Sequence, residues 1–406
     1  MTRRTWVSAV VFALIALLLG ASWYVGYANR THPAIWAMVG GDSARRYQSP
    51  DPIPAQPKVL WTVTLEETGT TQPVVWKDGT IFVGNGTKVI AVDREGKRLW
   101  AWNSQSQIQS LALGRHGTLY VQADNVLYAL SLTGEKQWQY DTQVGRPRQL
   151  LVGQGGTIYV TGNEYIYAMT DDGKLKWRFR GGRINSDPIE SEKGNLFFTI
   201  EDKLYQIDRN GDELWNAEVS TAQSQIILPG PEGTTYVRGS EIVVVNKDGL
   251  PVYKVPTNEV TSMAGVTRLT PASALPEKLG QMITRRSTPT LGTMLGGNMA
   301  AGKDFTQDGV SRLNHLGQRD WAFTRTVGAG YTNVILDRQG SALTQMQAAG
   351  TPLAVLYKLD STGQQVWRFE DAFSLGSAAP AGNGRIVFVG RVPDRTGAVL
   401  VCLGDR

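Results

Sequence analysis

Cysteine is nearly missing: Cys402 stands alone among 406 residues. No intramolecular disulfide can form, and thiolate metal clusters, which need two to four cysteines, are excluded. Cys402 lies in the apolar run 399–403 and reads as a small core residue. Histidine is almost as scarce. His32, His116 and His315 are far apart, and neither His116 nor His315 has a serine or carboxylate partner at a spacing that suggests a hydrolytic triad. Charge of one sign is also lacking. Forty-one Lys and Arg against 36 Asp and Glu leave +5, with no basic run longer than two. A nucleic-acid binder shows a concentrated basic face or stripe instead. No Cys-x-x-Cys-His haem site exists. The acidic stretch 208–212 lacks the twelve-residue calcium pattern ending in glutamate; it reads as an Asx-Gly turn.

One long hydrophobic run is present. Arg3 and Arg4 precede 23 uncharged residues, Trp6 to Ala28, and Arg30 follows. About 20 apolar residues span a bilayer as a helix, and the arginine pair favours a cytoplasmic N-terminus. Trp23, Tyr24 and Tyr27 resemble an interfacial belt. Residues 1–28 are therefore expected to be an uncleaved signal anchor, with the rest of the chain extracytoplasmic at the cell membrane. A cleavable signal peptide, leaving a secreted protein, is the competing reading. Residues 29–57 read as a linker, rich in proline near its end.

Glycine (45) and tryptophan (12) are abundant, and they are periodic. The segment that begins at Gly79 (Gly-Thr-Ile-Phe-Val) returns at Gly117, Gly156, Gly194 and Gly233, at spacings of 38 or 39. Trp61, Trp100, Trp138, Trp177, Trp215 and Tyr253 keep the same step. Within one unit, 72–76 is a strand, 77–79 a turn and 80–83 a second strand. Asn85-Gly86 then makes a hairpin, 88–93 alternates as a half-buried strand, and 97–102 is a fourth strand. Four antiparallel strands in about 40 residues make a propeller blade. Residues 312–321 and 358–367 repeat the third strand, glycine turn and tryptophan (Trp321; Gly363 and Trp367). The chain then runs out one strand short, and 58–65, which carries Trp61, can supply it and close the last blade. The expected fold is all-β, a propeller of eight blades over 58–406, or seven if the weak sixth unit is not a blade.

The run Ala91-Val-Asp93-Arg-Glu-Gly96-Lys97-Arg-Leu-Trp100 resembles the docking motif of pyrroloquinoline-quinone-type β-propellers. Ala129, Gly134 and Trp138 repeat it, as do Ala168, Gly173 and Trp177; Gly211 and Trp215 keep its last part. Residues 36–45 (WAMVGGDSAR) resemble the lead-in of these proteins. The resemblance implies that the alanine and tryptophan pack neighbouring blades together. The family holds quinone-dependent dehydrogenases and also non-enzymatic propellers, among them an outer-membrane assembly lipoprotein. The enzymes often set adjacent cysteines against the cofactor, and one cysteine cannot do this. Their motif turn is usually one residue longer than Asp93 to Gly96. The lipoprotein's lipidated cysteine is absent too. The resemblance therefore implies the non-enzymatic branch, without catalytic residues, metal or cofactor: a binding or scaffold module for an envelope protein or polysaccharide. A quinone-dependent oxidoreductase is the alternative. A third reading is cell-wall polysaccharide recognition, with Trp76 and Trp102 as possible sugar platforms.

Strand order suggests where a site would lie. Loops between second and third strands share a face with the blade-to-blade connections, here termed the connection face; the other turns form the turn face. The stretch Tyr253 to Pro289 reads as an enlarged connection, basic through Arg268, Lys278, Arg285 and Arg286. Extra residues near 303–309, 348–352 and 393–397 fall on the same face. Polar residues that open the inner strands (Gln72, Gln109, Gln149, Asp187, Gln225, Thr288 and Asn333) are expected to ring the channel mouth there.

Overall fold

Each repeat folds as its turn chemistry dictates. The side chain of Asp93 accepts the backbone N–H groups of Glu95 (3.0 Å) and Lys97 (2.7 Å), which makes an Asx turn between the third and fourth strands. Asp208, Asn246 and Asp360 hold the same place in later repeats, and the hydroxyls of Ser131 and Thr170 replace the carboxylate in two others. The stretch 208–212 is thus the plain Asx-Gly turn expected. Hydrogen bonds from these backbone N–H groups also hold the Asp208 carboxyl below the usual carboxylate range.

The computed structural model describes residues 34–219 except 46 and 68, then 226–229, 233–238 and 241–256, and beyond these 262–264, 292–296, 307–313, 319–326, 334–347, 354–374, 378–391 and 398–405. Residues 34–406 make one compact unit. The expected anchor at 1–28 lies outside the described residues. Within them the fold is all-β. The first sheet pairs Val74–Val75, Ile81–Asn85, Lys88–Val92 and Arg98–Asn103, in that order. Five more four-stranded antiparallel sheets follow within 108–141, 151–180, 189–218, 226–256 and 262–326. The last sheet has eight strands. Four come from 334–374, three from 379–404, and Lys58–Thr64 supplies the outermost by pairing with Val399–Gly404. Its two halves join where Phe373 and Ser374 pair with Arg391 and Gly390.

Successive sheets dock through tryptophan. The Trp100 indole N–H donates to the Leu132 carbonyl in the next sheet's turn (2.9 Å). Trp138 reaches Asp171 (3.0 Å), Trp177 reaches Arg209 (2.7 Å), and Trp215 reaches Lys247 (3.2 Å). Trp61, on the strand that pairs with the chain's end, reaches Arg94 of the first sheet (3.0 Å). Each ring lies flat on a glycine: a Cβ on Gly134 would sit 2.8 Å from Trp100. Gly134 also has φ +90°, so both the backbone and the neighbour require glycine there. Gly96, Gly173, Gly211 and Gly249 repeat the contact under Trp61, Trp138, Trp177 and Trp215. Within each sheet, Ala91, Ala129 and Ala168 stand opposite Trp100, Trp138 and Trp177, fully buried. Trp321 stands opposite Arg312 in the sixth sheet.

Two placements differ from the sequence reading. Residues 34–57 are not a free linker. Trp36, Ala37 and Met38 are fully buried, and Ser43, Ala44, Arg45 and Ser49 nearly so. Their backbone pairs with the last residue of one innermost strand after another: Trp36 with Val75, Ala37 with Leu113, Ser43 with Glu190, and Tyr47 and Ser49 with Leu336. The physical reason is that the inward ends of the strands leave unpaired backbone groups, and the lead-in satisfies them. The long basic stretch is also elsewhere. Ser262–Ala264 pairs with Gly292–Gly296 as the sixth sheet's first two strands. In sequence, Arg268, Lys278, Arg285 and Arg286 therefore fall between the sixth sheet's first and second strands and not between two sheets; they themselves lie outside the described residues. A strand of three residues is too short for periodicity to reveal.

Candidate functional site

The innermost strands surround an axis, and the lead-in fills its turn-face end. Two glycines make this possible. Gly40 and Gly41 have φ +85° and +88°, and a Cβ on either would come within 2.8 Å of Arg45 or Trp36. The chain can therefore double back, so that the Trp36 ring lies edge-on to Tyr47, 6.4 Å away. Arg45 points up the axis. Its guanidinium donates to the carbonyls of Pro188 (3.2 Å), Gln149 (3.4 Å) and Val39 (3.5 Å), and lies 3.9 Å from the Asp187 carboxylate. This buried cation is balanced by one acid and three peptide dipoles. Burial pushes the Tyr47 phenol above its ordinary value.

The polar residues expected at the channel mouth act mainly as ties between neighbouring sheets. Gln72 donates to the Ala378 carbonyl of the closing sheet (2.8 Å). Gln149 accepts from Ser110 (3.1 Å), whose hydroxyl also receives the Leu150 N–H (2.9 Å). The Gln149 N–H points at Asp187 (3.4 Å). Gln109 turns instead to Asp124, in its own sheet (2.9 Å). Glu190, unnoticed in the sequence, accepts the Gln154 N–H across a sheet boundary (2.6 Å). Burial pushes its carboxyl above the usual range, against the pull of that hydrogen bond. Gln225, Thr288, Asn333 and the four basic residues lie outside the described residues, as do His32, His315 and most of the extra stretches near 303–309, 348–352 and 393–397. The structure thus joins Gln149 and Asp187 to Arg45, ties Gln72 to Ala378 and leaves Gln109 with Asp124 of its own sheet.

A second group of residues escaped the sequence reading. Lys358 is buried and donates to the carbonyls of Ile53 (2.8 Å) and Pro54 (3.3 Å). Pro54 also accepts the Trp367 indole N–H (2.9 Å). Asp337 accepts the Ile53 N–H (3.1 Å), and Asp405 accepts those of Ala55 (2.9 Å) and Gln56 (2.6 Å). The signal in the sequence was the run of prolines in 50–57, whose fixed φ stiffens the stretch.

A quinone cofactor does not fit the axis. Arg45, the buried cation of the lead-in, is already committed to Asp187 and three carbonyls. The aromatic platform is half lost. Trp76 is buried, and Trp102 packs edge-on against Tyr128 at 5.0 Å. Among the described residues no group of three or more His, Cys, Asp or Glu could hold a metal ion.

A sequence-family model described as outer membrane protein assembly factor BamB matches residues 54–195 and 145–255. BamB from Moraxella catarrhalis superposes with a TM-score of 0.57 at 14% identity, covering 86% of this chain and 99% of that one. The WD40 domain of SCAP from fission yeast superposes with a TM-score of 0.51 at 8% identity, covering 85% and 97%. At such identities the likeness is one of fold. No curated protein matches the chain in sequence. The matched stretch, residues 54–255, coincides with the regular tryptophan–glycine junctions, and over it the chain carries the repeat of the PQQ-like β-propeller proteins that this family model describes.

Proposed function

We propose that the chain is an eight-bladed propeller held at the cell membrane by residues 1–28, on the extracytoplasmic side, where it serves as a binding or scaffold module for an envelope protein. One observation carries this reading: the axial end where a small ligand could enter is filled by the chain's own residues 36–49. A ring closed in that way has its outer surface left for recognition, and rigid scaffolds carry recognition on their loops. The outer membrane assembly role named for the matching family supports a protein partner in preference to a polysaccharide. The eight-blade count is supported by the pairing of Lys58–Thr64 with the last strand and by the Trp367 contact with Pro54.

The test is thermal unfolding of residues 31–406 titrated with pyrroloquinoline quinone and Ca²⁺, with dye-linked alcohol oxidation followed in parallel. A tight ligand raises native-state stability by mass action. No shift and no turnover is the expected result. A clear shift with turnover overturns the proposal in favour of a quinone-dependent oxidoreductase. Partner capture by the full chain, with and without residues 265–291 between the sixth sheet's first two strands, then tests the scaffold role directly.

A further inference from the structure

We infer that the outer edge of the third sheet takes an added β-strand from an acidic protein segment, one with carboxylates at alternate positions facing Arg178 and Arg180. This deepens the protein-binding reading above and rests on it. Its basis is where the charge of the chain sits. Residues 142–183 hold seven Lys and Arg against three Asp and Glu, a net of +4 in a chain of +5. The outermost strand of this sheet, Leu175–Arg180, pairs with Tyr165–Met169 on one side and ends the sheet on the other. Arg178 stands opposite Tyr167 and Arg180 opposite Tyr165, so both guanidinium groups fall on one face of the sheet. The Arg178 guanidinium lies 5.1 Å from the centre of the Tyr165 ring and 5.9 Å from that of Tyr167, and the Arg180 guanidinium lies 5.7 Å from Tyr165.

Both arginines are exposed. Glu164 lies 3.9 Å from Arg180, a solvated pair that a partner carboxylate can replace. Among the described residues no carboxylate pairs with Arg178. The tyrosine seat holds both side chains in place beforehand, so less rotamer freedom is lost when a carboxylate binds. The other outermost strands lack the pair. The same positions are Ala101 and Asn103 in the first sheet, Gln139 and Asp141 in the second, and Asn216 and Glu218 in the fourth. In the closing sheet Arg368 is already bound to Glu370. Charge that only blunts a bare edge needs no aromatic seat. A strand laid on this edge joins its backbone N–H and C=O groups to the unpaired ones. Every second side chain then falls on the arginine face, about 7 Å apart, which is also the step from Arg178 to Arg180. Carboxylates at that step meet the two guanidinium forks. On the other face the strand meets the half-buried Trp177 and Phe179, so the residues between the acids are apolar. A nucleic acid would gain the charge and the rings but not the backbone pairing.

The test is fluorescence anisotropy of a labelled peptide of about ten residues, a full strand length, in which Glu alternates with Val. It is titrated with the full chain in neutral detergent. Saturable binding is expected, and Arg178→Gln with Arg180→Gln should weaken it about tenfold or more while the thermal midpoint stays at the wild-type value. Unchanged binding by that double variant overturns the site. A second arm leaves the protein unaltered. The same peptide with every backbone nitrogen methylated keeps its charges and loses its donors, and its binding should disappear. Equal binding of the methylated peptide, or of one with the same composition and its glutamates grouped at one end, overturns the strand pairing. Tighter binding of an oligothymidylate of the same length overturns the acidic segment as partner, since bases stack on tyrosine and arginine. Failure of the edge site leaves the scaffold reading standing. Quinone-dependent turnover removes that reading whatever the peptide does, so the two failures are told apart.

Discussion

The junction between the first and second sheets and the junction that closes the ring use the same chemistry with different means. In the first, one hairpin supplies everything: the Leu132 carbonyl for the Trp100 indole and Gly134 beneath its ring. In the second, the equivalent hairpin cannot exist, because the closing sheet's last two strands, 399–404 and 58–64, come from opposite ends of the repeat region. The carbonyl for Trp367 comes instead from Pro54, 313 residues away in sequence. A local turn fixes its carbonyl through covalent connectivity. The distant one must be held by side chains, and Lys358, Asp337 and Asp405 hold it. Ordering a segment without a short loop costs more conformational entropy, which explains why so many groups converge on residues 53–56.

The largest expected effect lies in the lead-in. Trp36→Ala removes a fully buried indole from the axis; truncations of this kind cost about 3–5 kcal/mol. Chemical denaturation of residues 31–406 measures it. A loss below about 1 kcal/mol would mean that the lead-in is a passenger, since buried tryptophans are not that cheap to truncate. A smaller effect sharpens the ordinary junctions. Gly134 and Gly156 both have positive φ, +90° and +79°. A Cβ on Gly134 meets Trp100 at 2.8 Å, whereas one on Gly156 meets nothing within 4 Å. Alanine at each position carries the same backbone strain, so the excess cost of Gly134→Ala reports the docking contact alone. It should be about 1–2 kcal/mol. Equal losses at the two sites would show that the tryptophan shifts away freely.

The regular half was legible because each sheet repeats a turn, a glycine and an indole at a fixed step, and those requirements are local. Gly96, Gly134 and Gly173 could be assigned from spacing because one hairpin contains the whole reason for each. The clasp was illegible for the opposite reason. Nothing near Pro54 shows that Lys358 and Trp367 will meet it, and Lys358 reads as an ordinary surface residue. Residues 29–57 looked like a linker because they carry no period, although Gly40 and Gly41 were visible and are what lets the lead-in turn inside the axis. The polar residues at inner-strand starts were found by position. Their use as ties between sheets could not be read from it, because it depends on which neighbour's carbonyl lies opposite.

The closing junction can be compared with an ordinary one by the same substitution. Trp367→Phe and Trp100→Phe each delete one indole donor, at a cost of about 1 kcal/mol in either place. Their kinetic consequences should differ. Cys402 stands opposite Trp61 in the strand pair that seals the ring, buried, with its thiol pushed up to about 12 by that burial. It should resist iodoacetamide in the native state, because the thiolate is the reacting form. Loosening the clasp lets 58–64 lift off locally without global unfolding. Trp367→Phe should therefore speed labelling of Cys402 several-fold and Trp100→Phe should not. Equal acceleration would mean that the closing junction is no weaker than its neighbours.

The smallest effect lies where the two regions touch. Glu190 belongs to the fourth sheet, but its N–H binds Ser43 of the lead-in. Its carboxyl is raised first by burial, with Asp42 adding to the rise and the Gln154 N–H opposing it. A carboxyl raised in the native state keeps its proton to a higher pH than the same group in the unfolded chain. Between the ordinary glutamate value and the raised one, the native state binds more protons, so stability falls as pH increases through that window and is level above it. Glu190→Gln keeps an acceptor for Gln154 and cannot titrate. It should flatten the decline above the ordinary glutamate range while leaving the acid limb, set by groups such as Asp208 and Asp360 whose values are lowered, unchanged. Denaturation midpoints of both proteins across that range decide the matter. An unaltered slope would show that Glu190 is solvated in the native state and that the lead-in does not seal the axis at Ser43.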